Sequence, residues 1–391
     1  MFKKITDFIK TLYPDENPVP LHAPRFLGNE KKYLLDCIDS TFVSYVGQYV
    51  SRFEEEIRQF TGAKYSVAVS TGTAALHISL LLADVTPDSE VITQPLTFVA
   101  TANAISYCGA HPVFVDVEKS TLGLDPDKLS EFLSENAIIK SDNRCYNKIT
   151  GRIITACVPM HTLGHPARID QIIEVCSKYH IPAVEDAAEA LGSFYKGQHA
   201  GTFGLLGILS FNGNKPVTTG GGGMIITNDE QLAAKAKHLT TTAKKPHPWE
   251  FVHDMVGYNY RMPNINAAVG CAQMERFADV LENKRATAYK YKDFFDQIGV
   301  SFVAEPSNCQ SNYWLNSIIL KDRQERDQFL AYVADNGVQA RPVWTLMNKL
   351  SMFSQCQNAP INVAQWLEDR LVNVPSSVRP DSNLICLKHR A

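Results

Sequence analysis

Residues 65–83 read YSVAVSTGTAALHISLLLA. The first six residues form a short stretch, Val-Ala-Val between Tyr-Ser and Ser, that reads as a strand. From Thr73 to Ala83 the pattern is helical and almost wholly apolar. Ser70, Thr71, Gly72 and Thr73 form the junction, where small hydroxyl residues suit a helix start. A strand that passes straight into a buried helix is half of a βαβ unit. The same alternation recurs downstream. EVITQP (90–95), HPVFVDV (111–117), GRIITACVPM (151–160), IPAVED (181–186), GILSFN (207–212) and GGMIITN (222–228) read as strands. FVATANAISYCG (98–109), PDKLSEFLSE (126–135) and RIDQIIEVCSKYH (168–180) read as helices between them. Such a chain folds as an α/β protein with a mainly parallel sheet flanked by helices.

Two helical stretches, NEKKYLLDCIDSTF and SRFEEEIRQFTG, precede this region, and another helix spans about 229–243. A long helical pattern runs from 264 to 297. The remainder mixes strands such as NYWLNSIIL with helices such as QERDQFLAYVADNG, the pattern of a smaller C-terminal α/β domain. The expected division is 1–255 for an N-terminal segment and large domain, and 256–391 for the small domain.

With 391 residues, 45% hydrophobic and 20% charged, the chain has material for a substantial core. A net charge of −3 disfavours a nucleic-acid surface. The nine cysteines include no CxxC pair, which excludes the usual zinc spacings, and no metal is expected. Their odd number fits a reducing cytoplasm. The amphipathic start, MFKKITDFIKTLYPDENP, has neither the apolar stretch nor the cleavage site of a signal peptide. No apolar run approaches the ~20 residues that span a bilayer.

Open α/β sheets bind ligands at the carboxyl ends of their strands. Three stretches fall there. In STGTAAL, the free N–H groups of the helix start, with the dipole behind them, form an anion site. Gly72 admits close approach of a phosphate and Thr73 adds a hydroxyl, although the stretch also suits an ordinary N-cap. VEDAAEALGS places Glu185 and Asp186 at a strand end, where a carboxylate can hold a buried cationic nitrogen or simply cap the next helix. SFNGNKPVTTGGGGM (210–224) carries one lysine, Lys215, before four consecutive glycines. Taken alone, Lys215 reads as a solvated loop residue. A buried lysine, by contrast, holds some fraction of its amine uncharged and nucleophilic toward carbonyls. Anion cradle, strand-end acid and amine, in that order, are the groups that a pyridoxal 5'-phosphate (PLP) site requires.

Over nearly its whole length the chain resembles the DegT/DnrJ/EryC1/StrS family of sugar aminotransferases. The stretches that carry the likeness are FVSYVGQYVSRFEEE, VSTGTAALHISL, EVITQPLTFVATANAI, GAHPVFVDV, VEDAAEALGS, SFNGNKPVTTGGGGM and GYNYRMPNINAAVGCAQ. The resemblance implies the type I PLP-transferase fold and a homodimer with its active site at the subunit interface. It implies that Lys215 bonds the cofactor's aldehyde and that Asp186 pairs with its ring nitrogen. Phe98 would stack on the ring, with a core phenylalanine as the other reading. Gly72, Thr73, Ala74 and Ser210 would hold the phosphate, with Asn259 reaching in from the neighbouring subunit. Arg261 and Arg341 are candidates for acidic groups of the substrates or for structural ion pairs. Glu189 stands where the family commonly has Gln or His, beside the cofactor's 3′-oxygen. ARPVWTLMNKL and LHAPRFLGNEKKYLLDCIDSTFVS look closest to enzymes that aminate C4 of UDP-linked 4-keto-6-deoxy sugars in the legionaminic and bacillosamine pathways. L-glutamate is the implied donor. Amination at C3 of a dTDP- or GDP-linked sugar is the alternative. A sugar dehydratase is the other, although those members replace the lysine with His.

Overall fold

The strands that carry the site are β1 (Tyr65–Val69), β2 (Glu90–Thr93), β3 (His111–Phe114), β4 (Ile154–Val158), β5 (Val184–Asp186), β6 (Leu206–Ser210) and β7 (Gly223–Thr227). In this computed structural model, which describes residues 1–380, they form a three-stranded ladder, β3-β2-β4, and a four-stranded ladder, β5-β6-β7-β1. Parallel bridges Cys157–Ala183 and Met160–Asp186 join β4 to β5 and make one sheet. Every neighbour pair is parallel except those of β7, which runs antiparallel to β6 and β1. The expected mainly parallel sheet is therefore present. Its strands are buried on both faces, which is why they read as continuous apolar runs rather than alternating ones.

The helix Gly72–Leu82 is enclosed on nearly all sides, packing on the sheet and on helices Val99–Tyr107 and Glu230–Thr240. That position explains its apolar sequence. On the other face, helices Gln48–Thr61 and Asn264–Met274 pack together with Phe53, Phe211, Ala267 and Cys271 in one core. Close passage requires Gly270, since a Cβ there would stand 2.7 Å from the Phe53 ring.

The C-terminal sheet is antiparallel, in the order Ser301–Phe302, Asn316–Ile319, Leu371–Val374, Arg341–Pro342. The helix Phe2–Leu12 lays Ile5, Ile9 and Leu12 into its core beside Tyr291, Phe295 and Phe329. An isolated amphipathic helix cannot cover its own apolar stripe, so the first residues join the C-terminal layer rather than the large domain. The continuous helix expected over 264–297 is two helices, Asn264–Met274 and Phe277–Ile298, broken at Arg276 (φ −115°, ψ 7°). The first belongs to the large core and the second reaches the small one. Phe277 and Val280 of the second helix still lie in the large core and Tyr291 and Phe295 in the small one, so the two cores meet within this helix, beyond the expected 255/256 boundary. Asp116, just beyond β3, accepts the N–H groups of Asn362, Val363 and Ala364 at 2.7, 2.7 and 2.9 Å and ties the two layers together. The expected domain end at 391 and Cys386 lie outside the described residues. The eight described cysteines are all unpaired. Among the described residues no His/Cys/Asp/Glu group is arranged to hold a metal, and no helix is long and apolar enough to cross a membrane.

Candidate active site

Strand period decides which carboxylate of the Glu185–Asp186 pair faces the site. Successive side chains of β5 point to opposite faces. Glu185 turns into the protein and accepts N–H groups from Gly201, Phe203 and Gly204 at 2.7–2.8 Å. His161 Nε2 completes its shell at 3.0 Å. Ala167 donates its N–H to His161 Nδ1, so the ring hydrogen sits on Nε2 and donates to Glu185. Glu185 is therefore saturated and structural. Asp186 turns the other way into a cavity of about 310 Å³ at the carboxyl ends of β5 and β6. Thr101 Oγ1 donates to its Oδ2 at 2.7 Å, and the Ala188 N–H to its Oδ1 at 3.2 Å. Burial raises its pKa, against the opposing pull of Thr101 and of the Lys215 cation.

Lys215 lines the same cavity and is 9% exposed. Its Nζ stands 3.4 Å from Glu189 Oε1 and 3.8 Å from the centre of the Trp314 ring. Trp314 is held at both ends: its indole N–H donates to the Asn214 carbonyl at 2.7 Å, and its backbone N–H to Asn312 Oδ1 at 2.8 Å. Glu189 is 2% exposed, and its Oε2 accepts the Leu163 N–H at 2.8 Å. Leu163 adopts φ +58°, a left-handed conformation that a branched residue enters only under constraint, and it aims that N–H into the site. Burial pushes the Glu189 carboxyl up to about 7, with Lys215 pulling the other way.

The expected anion cradle falls where the ends of β1, β6 and β7 meet. Gly223 pairs with both Val69 and Ser210. A Cβ on Gly223 would stand 2.4 Å from the Thr71 carbonyl oxygen, and one on Gly72 2.9 Å from Ser210 Cβ, so both positions require glycine. Gly72, Thr73 and Ser210 line the cavity. Thr71 is also an ordinary N-cap, its Oγ1 accepting the Ala74 N–H at 3.0 Å. That bond occupies the Ala74 amide expected in the cradle, which leaves those of Gly72 and Thr73 at the helix start. Phe98 is not a core residue; it lines the cavity and is 51% exposed.

Asn259 and both arginines stand apart from these groups. Arg261 is buried in a structural pair, with Nη2 on Glu54 at 2.8 Å and Nη1 on the Ala68 carbonyl at 2.8 Å. Of the two expectations for Arg261, the ion pair is the one found, because burial of a guanidinium demands a carboxylate partner. Arg341 is exposed on the edge strand of the C-terminal sheet and does not line the cavity. Asn259 is exposed, on an extended segment beside helix Glu230–Thr240, and lies outside the cavity of its own chain. Met160, Asn212, Asn214, Trp314 and Trp344 line the cavity without having been singled out in the sequence. Asn212 and Asn214 flank the lysine within a stretch already marked, and Trp344 lies three residues beyond Arg341. Met160 and Trp314 carry no local signal.

A buried amine, a strand-end acid and a glycine-lined anion cradle around one cavity define a PLP-dependent transferase site on an α/β fold. Comparison with known proteins agrees. Residues 26–383 match the DegT/DnrJ/EryC1/StrS aminotransferase family, and the chain belongs to it. It is a PLP-dependent sugar aminotransferase. A GDP-perosamine synthase from Escherichia coli O157:H7 is 36% identical over 359 residues, 92% of this chain and 93% of that protein. Another GDP-perosamine synthase, from Caulobacter vibrioides, is 33% identical over 363 residues, 92% and 93% of the two chains. The crystal structure of the aminotransferase TlmJ from Streptoalloteichus hindustanus superposes with a TM-score of 0.82 at 26% identity, covering 91% of this chain and 92% of that one.

Proposed function

We propose that this enzyme transfers the amino group of L-glutamate to a GDP-linked keto-6-deoxyhexose. The expected UDP carrier gives way to GDP, because the two relatives above, 36% and 33% identical over 92% of the chain, are named for a GDP-sugar. The observation that carries the reading is the convergence of Lys215, Asp186 and Glu189 on one buried cavity with the Gly72–Ser210 cradle at its edge.

The donor set fits PLP: amides of Gly72 and Thr73 with the Ser210 hydroxyl for the phosphate, Asp186 for a cationic ring nitrogen, Phe98 for the ring face. PLP, when bound, supplies an aldehyde that condenses with amines and a ring that stabilises negative charge at the donor's α-carbon. The chain's own part is positional and protonic. Asp186, whose carboxyl burial pushes up while Thr101 and Lys215 pull the other way, is placed to pair with a cation opposite it. Lys215 Nζ is the base placed to take a proton from the donor's α-carbon in one half-reaction and to deliver one to the acceptor carbon in the other. Glu189, balanced between its two forms near neutrality, accepts or releases a proton 3.4 Å from that amine. Trp314 covers the amine's other side. Donor and acceptor use one cavity in turn, so ping-pong kinetics are expected. A dehydratase is disfavoured because Lys215 is present.

The working unit in this reading is a cytoplasmic homodimer. Two apolar exposures support the pairing, Leu35, Ile38, Phe42 and Val46 on one side and Trp249, Phe251 and Val256 on the other. Asn259 faces outward, as a residue that reaches a neighbour's phosphate would. The unpaired cysteines support a reducing compartment.

The test is single-turnover amination by the PLP-loaded protein of GDP-, UDP- and dTDP-linked keto-6-deoxyhexoses, with the amine position read by NMR. Lys215→Ala should abolish transfer and the visible band that borohydride bleaches. Substantial transfer by Lys215→Ala, or no product from any sugar with the unaltered enzyme, would refute the assignment.

A further inference from the structure

The polar groups of the cavity lie on the large-domain side, at the ends of β5 and β6, in the segments that follow them and at the start of helix Gly72–Leu82. Its aromatic wall has three members, Phe98, Trp314 and Trp344. The Trp314 ring is engaged with the Lys215 ammonium. Trp344 stands with its ring centre 6.3 Å from that of Phe98, at an interplanar angle of 60°. It comes from the small domain, and its backbone is fixed there. The Val343 N–H donates to the Leu371 carbonyl at 3.2 Å, and the Leu346 N–H to Glu368 Oε1 at 3.1 Å. The Met347 N–H donates across to the Pro95 carbonyl of the large domain at 3.0 Å. Glu368 is in turn held by Lys349. Val343 is buried in the core, and Trp344, half-buried, packs against that core while lining the cavity.

We propose that Trp344 is the platform for the acceptor sugar and selects a 6-deoxyhexose; this rests on the aminotransferase reading above. An indole face is electron-rich and apolar, so it favours C–H hydrogens over hydroxyls. A pyranose offers such hydrogens on its faces, and a 6-methyl group in place of a hydroxymethyl extends that apolar surface. A donor as small and polar as glutamate gains little from the ring. Trp344 thus acts in one half of the reaction and not the other. One hydrophobic contact of this kind changes specificity by about 10- to 200-fold.

The experiment compares Trp344→Ala and Trp344→Phe with the unaltered holoenzyme. The glutamate half-reaction is followed alone, by the single-turnover change in cofactor absorbance. The full reaction is followed with a GDP-linked 4-keto-6-deoxyhexose and with its 6-hydroxy counterpart. Binding of GDP alone, and of the amino-sugar product, is measured by calorimetry. Trp344→Ala should leave the glutamate half-reaction within twofold and raise the sugar KM at least tenfold. It should also narrow the preference for the 6-deoxy sugar and weaken product binding but not GDP binding. Trp344→Phe should recover most of the loss. An unchanged sugar KM, or equal loss in both half-reactions, would overturn the platform. Weakened binding of GDP itself would reassign the indole to the base. Failure of the unaltered enzyme to aminate either sugar would instead overturn the underlying reading, and the platform with it.

Discussion

Replacing Glu189 by glutamine removes one titrating site from a buried cavity while nearly preserving side-chain shape. The carboxyl's ordinary value of 4.5 is raised to about 7 in the folded protein, chiefly by burial. Below pH 4.5 both folded and unfolded chains hold the proton, so the shift has no effect on stability. As pH rises, the unfolded chain ionises first and the folded state loses ground. The loss continues until pH passes the folded value near 7 and is level above it. Between pH 5 and pH 8 this linkage amounts to about 2.5 kcal/mol of stability. Glu189→Gln lacks it. The variant, measured without cofactor by urea unfolding, should therefore gain on the parent by roughly 2 to 3 kcal/mol as pH goes from 5 to 8. Other groups titrate in both proteins and cancel in the difference. Stability curves that run parallel from pH 5 to 8 would refute the account of Glu189 as a carboxyl held protonated by burial. With PLP bound, the same substitution should move the pH midpoint of the visible band, and an unmoved midpoint would show that Glu189 shares no proton with the ring.

The arginine at 261 gives a contrasting expectation. Arg261→Ala strands Glu54 and the Ala68 carbonyl and should cost about 3 kcal/mol in unfolding free energy, with the glutamate KM unaltered. A selective rise in that KM, with stability intact, would restore a substrate role. Asp116→Ala removes the acceptor of three N–H groups across the domain seam. It should lower stability by about 2 kcal/mol and loosen the 362–364 backbone, visible as faster amide exchange there; unaltered exchange would count against the latch.

Where local pattern and burial coincide, the chain could be read directly. All seven sheet strands follow from runs of Val, Ile, Leu and Phe between turn residues, because a strand buried on both faces needs no partner to be legible. Lys215, Asp186, Gly72, Thr73, Ser210 and Glu189 were legible for a different reason. Gly72, Thr73, Asp186 and Lys215 sit at or just beyond strand ends in short stretches whose residue types suit the chemistry, Ser210 and Glu189 follow from the family resemblance, and the structure brings all six to one cavity. Arg261 was ambiguous because a guanidinium can pair with a substrate acid or a protein acid, and the choice belongs to Glu54, 207 residues away. Trp314 and Trp344 were missed because an indole in a tail segment reads as core until the small domain is placed.

The amino-acid sequence by itself determined the alternation of strands and helices, the family and the order of cradle, acid and amine, since each depends on neighbours within a few residues. Tertiary structure alone decided that Glu185 is locked by amides while Asp186 faces the cavity. It alone decided that the first helix serves the C-terminal core, and that a tryptophan from the small domain completes the wall. Those outcomes depend on which distant surfaces meet. Burial, pairing and pKa are properties of the meeting, not of the residues taken singly.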